Sequence, residues 1–229
     1  MMNRPVALVT GASRGIGRAI AVELSLTHRI LVGGRDVTRV GELVAELPDA
    51  APFVCDLTDE DALAAACAGI GRLDVLVHSA GIGRSNDIGT ASRALWREVF
   101  ETNVFAVADL TRLLLPALEA TRGIVVAINS GVGFFSSPGG GVYAGSKFAL
   151  RALTDALREE MRGKVRVCSI HPGRTDTDMQ RELQAAMGNE HYDGARYVAP
   201  ESVAAAVRLA VDTPDNATIE QLSIRPSVS

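Results

Sequence analysis

Tyr143 and Lys147 open a helix-forming run that continues through Arg162. Four residues apart, they sit one above the other on the same helix face. A free phenol titrates near ~10 and transfers protons poorly at neutral pH. An ammonium held close favours the phenolate and lowers that pKa. Such a pair can pass a proton to or from an oxygen near pH 7. Y-x-x-x-K alone also describes a tyrosine lying on a lysine stem, so the other residues must decide between the two.

The elements that would position this pair are short apolar strands alternating with helices. Val6–Val9 is a continuous apolar run, as in a strand covered on both faces. Further runs follow at 30–32, 52–55, 75–77, 124–128 and 165–170, with a last strand expected over 219–224. Helices are expected over 18–26, 37–47, 94–118 (one or two), 143–162 and 200–211. Thr58 reads as an N-cap ahead of Asp59 and Glu60. This alternation predicts βαβ units, hence an α/β fold with one parallel sheet and helices on both faces. The polar and glycine-rich stretches fall after strands one, four, five and six. They therefore converge on the carboxyl edge of the sheet, where such folds bind ligands.

Gly11, Gly15 and Gly17 lie between the first strand and the first helix. Without side chains they permit a tight turn and the approach of a pyrophosphate to a helix N-terminus. The loop lacks the Lys-Ser/Thr of a P-loop, which disfavours ATP or GTP chemistry. An acid after the second strand selects a free ribose, whereas arginine selects a 2′-phosphate. Here Arg35 and Asp36 both follow Gly34, and Arg14 can reach the same place. Two guanidiniums around one ribose favour NADP(H). Asp36 turned inward would favour NAD(H); the reading adopted is that it faces solvent or caps the helix starting near Val37. Asp56 is placed either to accept from the adenine amino group or to cap a helix, with Leu57 beside it.

Composition narrows the function. The chain has 229 residues, 47% hydrophobic and 22% charged, with a net charge of −4. That is an ordinary globular composition with no basic field to recruit nucleic acid or anionic lipid. It reads as one domain, 1–229, with 174–197 as a substrate-side loop and helix segment. Cys55, Cys67 and Cys168 form no C-x-x-C pair, which fits a reducing cytosol. No apolar run reaches the ~20 residues of a membrane span, and the start is too short for a signal-peptide core. The expectation is a cytoplasmic protein without a catalytic metal. Ser130 lacks the G-x-S-x-G elbow of a hydrolase.

Thr10-Gly11-Ala12-Ser13-Arg14-Gly15-Ile16-Gly17, Asp56, Asn103, Ser130, Tyr143 with Lys147, and Pro172-Gly173 occur in that order. Together they resemble the short-chain dehydrogenase/reductase family, over almost the whole chain to about Thr177. The resemblance implies a Rossmann-type doubly wound sheet of about seven strands, order 3-2-1-4-5-6-7. It also implies roles. Tyr143 would be the general acid/base. Lys147 would lower its pKa and bind the nicotinamide ribose. Ser130 would hold the substrate oxygen, and Asn103 would support a water linking Lys147 to solvent. Gly11, Ser13, Arg14, Gly15, Ile16 and Gly17 would line the cofactor, with Arg35, Asp56, Leu57, Ser79, Ala80 and Gly81. Pro172, Gly173 and Thr175 would flank the nicotinamide, with Thr177 near its carboxamide or the pyrophosphate.

Two positions depart from the family pattern. His78-Ser79-Ala80-Gly81 stands where Asn-Asn-Ala-Gly is usual, so the bonds of two asparagines must be replaced. His78 is read as a buried residue bonding backbone. Thr175 replaces the commoner Ile or Val, so a backbone contact is expected there.

The implied function is an NADP(H)-dependent oxidoreductase interconverting a carbonyl and a secondary alcohol. Phe134, Phe135, Met179, Leu183, Met187 and Tyr192 suggest an apolar wall beside the segments 83–86, 132–142 and 178–197. The alternatives are a non-catalytic NADP(H)-sensing protein and an NAD(H)-dependent dehydrogenase. A homodimer or homotetramer is expected by analogy, pairing through helices 96–118 and 143–162.

Overall fold

The computed structural model describes residues 4–186, 188–189 and 191–227. Seven strands form one parallel sheet: β1 (Val6–Val9), β2 (Arg29–Gly34), β3 (Ala50–Val54), β4 (Val75–His78), β5 (Ile124–Ile128), β6 (Arg166–Pro172) and β7 (Gln221–Ile224). Their order is β3-β2-β1-β4-β5-β6-β7, every neighbouring pair parallel.

The helices are α1 (Gly15–Ser25), α2 (Val37–Glu46), α3 (Glu60–Cys67), α4 (Arg93–Phe100), α5 (Ala106–Glu119), α6 (Gly141–Glu160), α7 (Asp178–Ala186) and α8 (Pro200–Asp212). They cover both faces, and the side chains of the central strands show how. Along β1, Ala7 and Val9 join one core cluster and Leu8 the other. Along β4, Val75 and Val77 join the first and Leu76 the second. Successive strand residues point to opposite faces, so a continuous apolar run is what a strand buried on both sides requires. The first cluster lies under α1, α2 and α8 through Ile20, Leu24, Val40, Val203 and Val207. The second lies under α3 and α5 through Leu63, Leu110, Leu114 and Leu118.

Several expected boundaries move. β3 starts at Ala50 and includes Pro52, which an edge strand tolerates because one side of its ladder is unpaired. Asp59, not Thr58, caps α3 by accepting from Ala62 N at 3.0 Å. The Thr58 hydroxyl instead donates to Asp56. Between α4 and α5 the chain forms a π-helical turn, Glu101–Phe105, that carries Asn103. The segment after β6, expected as a loop and helix over 174–197, contains α7.

The chain leaves β1 for β2 and β3 on one side, then crosses back to β4 on the other. The connections leaving the carboxyl ends of β1 and β4 therefore run to opposite faces, forming a crevice at the switch point.

Candidate active site

The crevice is built around Thr10, the last residue before the glycine loop. Its buried hydroxyl accepts from Ser79 N and Ala80 N, both at 3.1 Å, and donates to Val77 O at 3.3 Å. This stitches the end of β1 to the end of β4. Gly11 then passes so close that a Cβ there would stand 2.8 Å from Ala80 Cα, and its φ of +64° is one that favours glycine. At Gly17 a Cβ would meet Gly11 O at 2.2 Å. The glycines thus let the loop fold back onto α1.

The N-terminus of α1 differs from those of its neighbours. Asp36, Asp59 and Ser92 cap α2, α3 and α4, whereas α1 has no side-chain cap and no acid in its first turn. Its first N–H groups are left without side-chain partners, a donor set that suits an anion. Ser13 lies beside the end of β2, its Oγ 3.8 Å from where a Gly34 Cβ would stand. Arg35 faces Asp56 at 3.5 Å, and Arg14 faces Asp178 and Glu182 at 3.9 Å each. All these pairs are exposed and loose, worth at most about 1 kcal/mol, so phosphate oxygens can compete for both guanidiniums. Asp36 accepts from Thr38 N and Arg39 N at 3.0 and 3.1 Å, turned to its own helix. The chain's own residues therefore fit a dinucleotide carrying a 2′-phosphate.

Other expected cofactor residues are differently engaged. Asp56 accepts from Thr58 N and Oγ1, which with Arg35 holds its carboxyl below the usual range, the Thr58 backbone bond first. Leu57 and Ile16 pack against the two cores. Gly173 donates its N–H to Ile224 O at 2.7 Å, and a Cβ there would meet Pro226 and Arg225. That glycine makes room for the C-terminal segment. Pro172 is buried at the end of β6. The Thr175 hydroxyl turns back to Gly173 O at 3.1 Å. Thr177 lies over the glycine loop, its Cγ2 3.3 Å from a Gly15 Cβ position.

Asn103, Ser130, Tyr143 and Lys147 come together next to this crevice. Ser130, two residues past the end of β5, caps a 3-10 turn, Gly131–Gly133, its Oγ accepting from Val132 N. Tyr143, half-buried in the first turn of α6, brings its phenol close enough to the Ser130 hydroxyl for the two to interact. Lys147 is one turn further on and buried. Its Nζ donates to Ile128 O at 3.0 Å and lies 5.7 Å from the Tyr143 ring centroid. Burial raises the Tyr143 phenol above its ordinary value, and the nearby Ser130 hydroxyl draws it partly back. Burial also brings the Lys147 ammonium down to about 8. Burial, not Lys147, sets the direction of the Tyr143 shift.

Asn103 has its side chain committed. Oδ1 accepts from Ile82 N, and Nδ2 donates to Ile82 O, at 2.9 Å each, and to Ser146 Oγ at 3.0 Å. Ser146 in turn donates to Tyr143 O at 2.7 Å. Asn103 therefore ties the 80s loop to the Tyr143 helix, and the π-helical turn aims it there. Thr10 and Asn103 make the bonds that the missing asparagine pair left to be found. His78 is fully inside and bonds a side chain rather than backbone: Nε2 is 2.9 Å from Thr111 Oγ1. Thr111 gives its own proton to Val107 O, so the imidazole is the donor.

The apolar wall is only partly as expected. Phe134, Phe135 and Met179 are exposed, and Leu183 is half-buried. Met179 Sγ is 3.3 Å from a Gly83 Cβ position, so α7 reaches across to the 80s loop. Tyr192 is turned away from any wall: it donates to Asp176 Oδ1 at 2.9 Å and stacks on Tyr197. Met187 lies outside the described residues. A separate basic cavity of about 370 Å³, lined by Arg158 and Arg166 among others, lies at the opposite end of the sheet and contains none of these residues. No group of three or more His, Cys, Asp or Glu among the described residues could hold a metal.

Residues 5–188 match the family described as short chain dehydrogenase. The chain belongs to the short-chain dehydrogenase/reductase family. It is 33% identical to farnesol dehydrogenase of Aedes aegypti, over 96% of this chain and 95% of that protein. It is 34% identical to serine 3-dehydrogenase of Agrobacterium fabrum, over 96% and 92%. Among solved structures, an alcohol dehydrogenase from the archaeon Thermococcus sibiricus complexed with 5-hydroxy-NADP superposes with a TM-score of 0.89. It is 28% identical, covering 98% of this chain and 97% of that one. As a short-chain dehydrogenase/reductase the chain is an oxidoreductase. Among the described residues no helix is long and apolar enough to cross a membrane.

Thr10, Asn129, Ser146 and His171 were not assigned roles from the sequence. Each adjoins or lies within a motif, which is a signal of place but not of role, because the distant partners of each are brought together only by the fold.

Proposed function

We propose that this short-chain dehydrogenase/reductase uses NADP(H) to interconvert a carbonyl and a secondary alcohol on a small or medium apolar substrate. The observation that carries the reading is the Ser130–Tyr143 hydroxyl pair above buried Lys147, beside a helix N-terminus with no cap of its own. The nicotinamide, when bound, supplies or takes up the hydride.

The chain's residues do the rest. Ser130 donates to the substrate oxygen. Tyr143 gives its proton to a carbonyl oxygen, or takes one from an alcohol. Lys147, once its ammonium has a ribose and the phenolate to face, offsets the burial that now holds the Tyr143 proton. Asn103 keeps the 80s loop and the Tyr143 helix in register, and in this reading helps to support the water between Lys147 and solvent. Gly11, Gly15 and Gly17 clear the path to the α1 N-terminus, while Ser13, Arg14 and Arg35 take the 2′-phosphate side. The segment 174–197, within one domain spanning 1–229, covers the substrate.

The name of the Thermococcus sibiricus structure, an NADP derivative complex, supports the cofactor choice. So does Asp36, whose carboxylate is occupied by its own helix. We place the protein in the cytoplasm as a homodimer or homotetramer pairing through α4–α5 and α6, where Phe105 and Phe148 are exposed. A monomer by light scattering would refute that assembly.

The test is a titration with NADPH and NADH, followed by nicotinamide fluorescence, on wild type and Arg35→Ala. NADPH should bind at least tenfold tighter, ~1.4 kcal/mol, and the variant should lose that preference. Equal binding of NADH by the wild type sinks the NADP(H) assignment. Binding of neither favours neither cofactor and sinks the catalytic reading with it.

A further inference from the structure

Ser130 is held at both sides of its own peptide by side chains. Asn129 Oδ1 accepts from Ser130 N at 2.9 Å, and His171 Nδ1 lies 3.2 Å from Ser130 O. Both clamping residues are inside: Asn129 is 3% exposed and His171 0%. Only a donor can satisfy a carbonyl, so His171 carries its proton on Nδ1. Its Nε2 is then a bare acceptor, buried and without a partner among the described residues. An orphaned polar atom in the interior is costly. The position thus keeps a polar ring where an apolar side chain would bury more cheaply, and the one bond that ring makes is to Ser130.

The ring is fixed from the other directions as well. Phe134, four residues after Ser130, lies against it with centroids 4.4 Å apart. Arg151 of α6 lies over the Phe134 ring, its Cζ 4.8 Å from the centroid. Arg225, following β7, donates to His171 O at 2.6 Å. Its guanidinium stands 3.1 Å from a Gly131 Cβ position. The turn 130–134 therefore rests on β6 and on the C-terminal segment through His171. Burial foremost, then Arg151 and Arg225, lowers the imidazole pKa against the opposing pull of its bond to Ser130, so the ring stays neutral and the tautomer stays fixed.

We propose that His171 is a positioning residue for the Ser130 hydroxyl, setting through the Ser130 carbonyl how that hydroxyl meets the Tyr143 phenol. It touches no reacting atom, and it acts on proton transfer only through Ser130. The inference rests on the Ser130–Tyr143 reading above.

The discriminating variants are His171→Asn and His171→Gln. Both are neutral amides. Asparagine places an N–H where Nδ1 stands, whereas glutamine places it nearer the Nε2 position and cannot reach Ser130 O. NADPH binding should be unchanged in both, showing an intact fold and cofactor crevice. The readout is the Tyr143 phenol itself, followed by carbon NMR on tyrosine labelled at Cζ in the NADP⁺ complex. With 3 tyrosines in the chain, a Tyr143→Phe control assigns the signal. His171→Asn should titrate with the wild type. His171→Gln should titrate higher by about half a pH unit or more, as loss of one ordinary hydrogen bond to the phenolate produces.

Ser130→Ala sets the upper limit. If it is shifted and His171→Gln is not, the clamp does nothing for Ser130 and the inference fails alone. If Ser130→Ala also titrates with the wild type, the Ser130–Tyr143 reading falls and takes this inference with it. If His171→Gln does not fold, His171→Leu, which buries no unpaired polar atom, takes its place: a raised phenol pKa upholds the clamp, and coincidence with the wild type overturns it.

Discussion

At the scale of residues, the balance at Tyr143 is between desolvation and hydrogen bonding. Burial raises the phenol and Ser130 lowers it, and one pKa unit corresponds to about 1.4 kcal/mol. General acid–base groups contribute on the order of 10²–10⁴ in rate. Tyr143→Phe removes one oxygen from a packed ring and leaves the glycine crevice untouched. Turnover of any carbonyl the wild type reduces should therefore fall by at least ~10²-fold, while NADPH affinity by fluorescence stays the same. A variant with undiminished turnover would show that the proton comes from elsewhere. Lys147 was legible from its four-residue spacing. That burial brings its own pKa to about 8 was not, because desolvation depends on what surrounds Nζ.

At the scale of elements, helix ends separate structure from chemistry. Asp36 accepts two backbone N–H groups at the start of α2 and faces Arg39 at 3.4 Å. Removing an N-cap acid costs ~1 kcal/mol. Asp36→Ala should therefore lower the unfolding free energy from urea titration by that amount and leave the NADPH-over-NADH preference intact. If the preference changed instead, the carboxylate would be facing the ribose. The α1 end carries no such cap. The difference was half visible beforehand: glycine spacing marked the loop, while the orientation of Asp36 needed its backbone partners. The π-helical turn was not visible, and α7 was expected only as a helix somewhere within 174–197. A widened turn has no residue signature, and the approaches of Thr177 to Gly15 and of Met179 to Gly83 that place α7 join segments distant in sequence.

At the scale of the whole molecule, the buried imidazoles couple folding to pH. Burial lowers His78 from 6.5 to about 4. Its one resolved partner, Thr111, needs the neutral Nε2–H tautomer and offers nothing to a second proton. Between those values the unfolded chain binds a proton that the folded chain refuses, so stability rises with pH across the interval. Stability should thus be lost as pH falls from 6.5 towards 4, by up to about 1.4 kcal/mol per pH unit for one proton. His28 and His171 are lowered too and add to the same slope. Urea midpoints at pH 7 and pH 5 measure it, and His78→Asn should flatten the difference. An unchanged slope in that variant would mean that His78 is charged in the fold.

By itself the sequence determined the alternation of strands and helices, because a strand buried on both faces must be apolar throughout and each glycine turn must follow one. It also determined which residue types could do chemistry: the Tyr143–Lys147 spacing is local, as is the glycine loop. The tertiary structure alone decided which side chains hold that chemistry in place. Thr10 bonds a loop 69 and 70 residues away, Asn103 one 21 residues away, and His171 reaches Ser130 across 41 residues. Those bonds exist because parallel crossovers bring the carboxyl ends of β1, β4, β5 and β6 to one edge, and no local pattern records a partner so far along the chain.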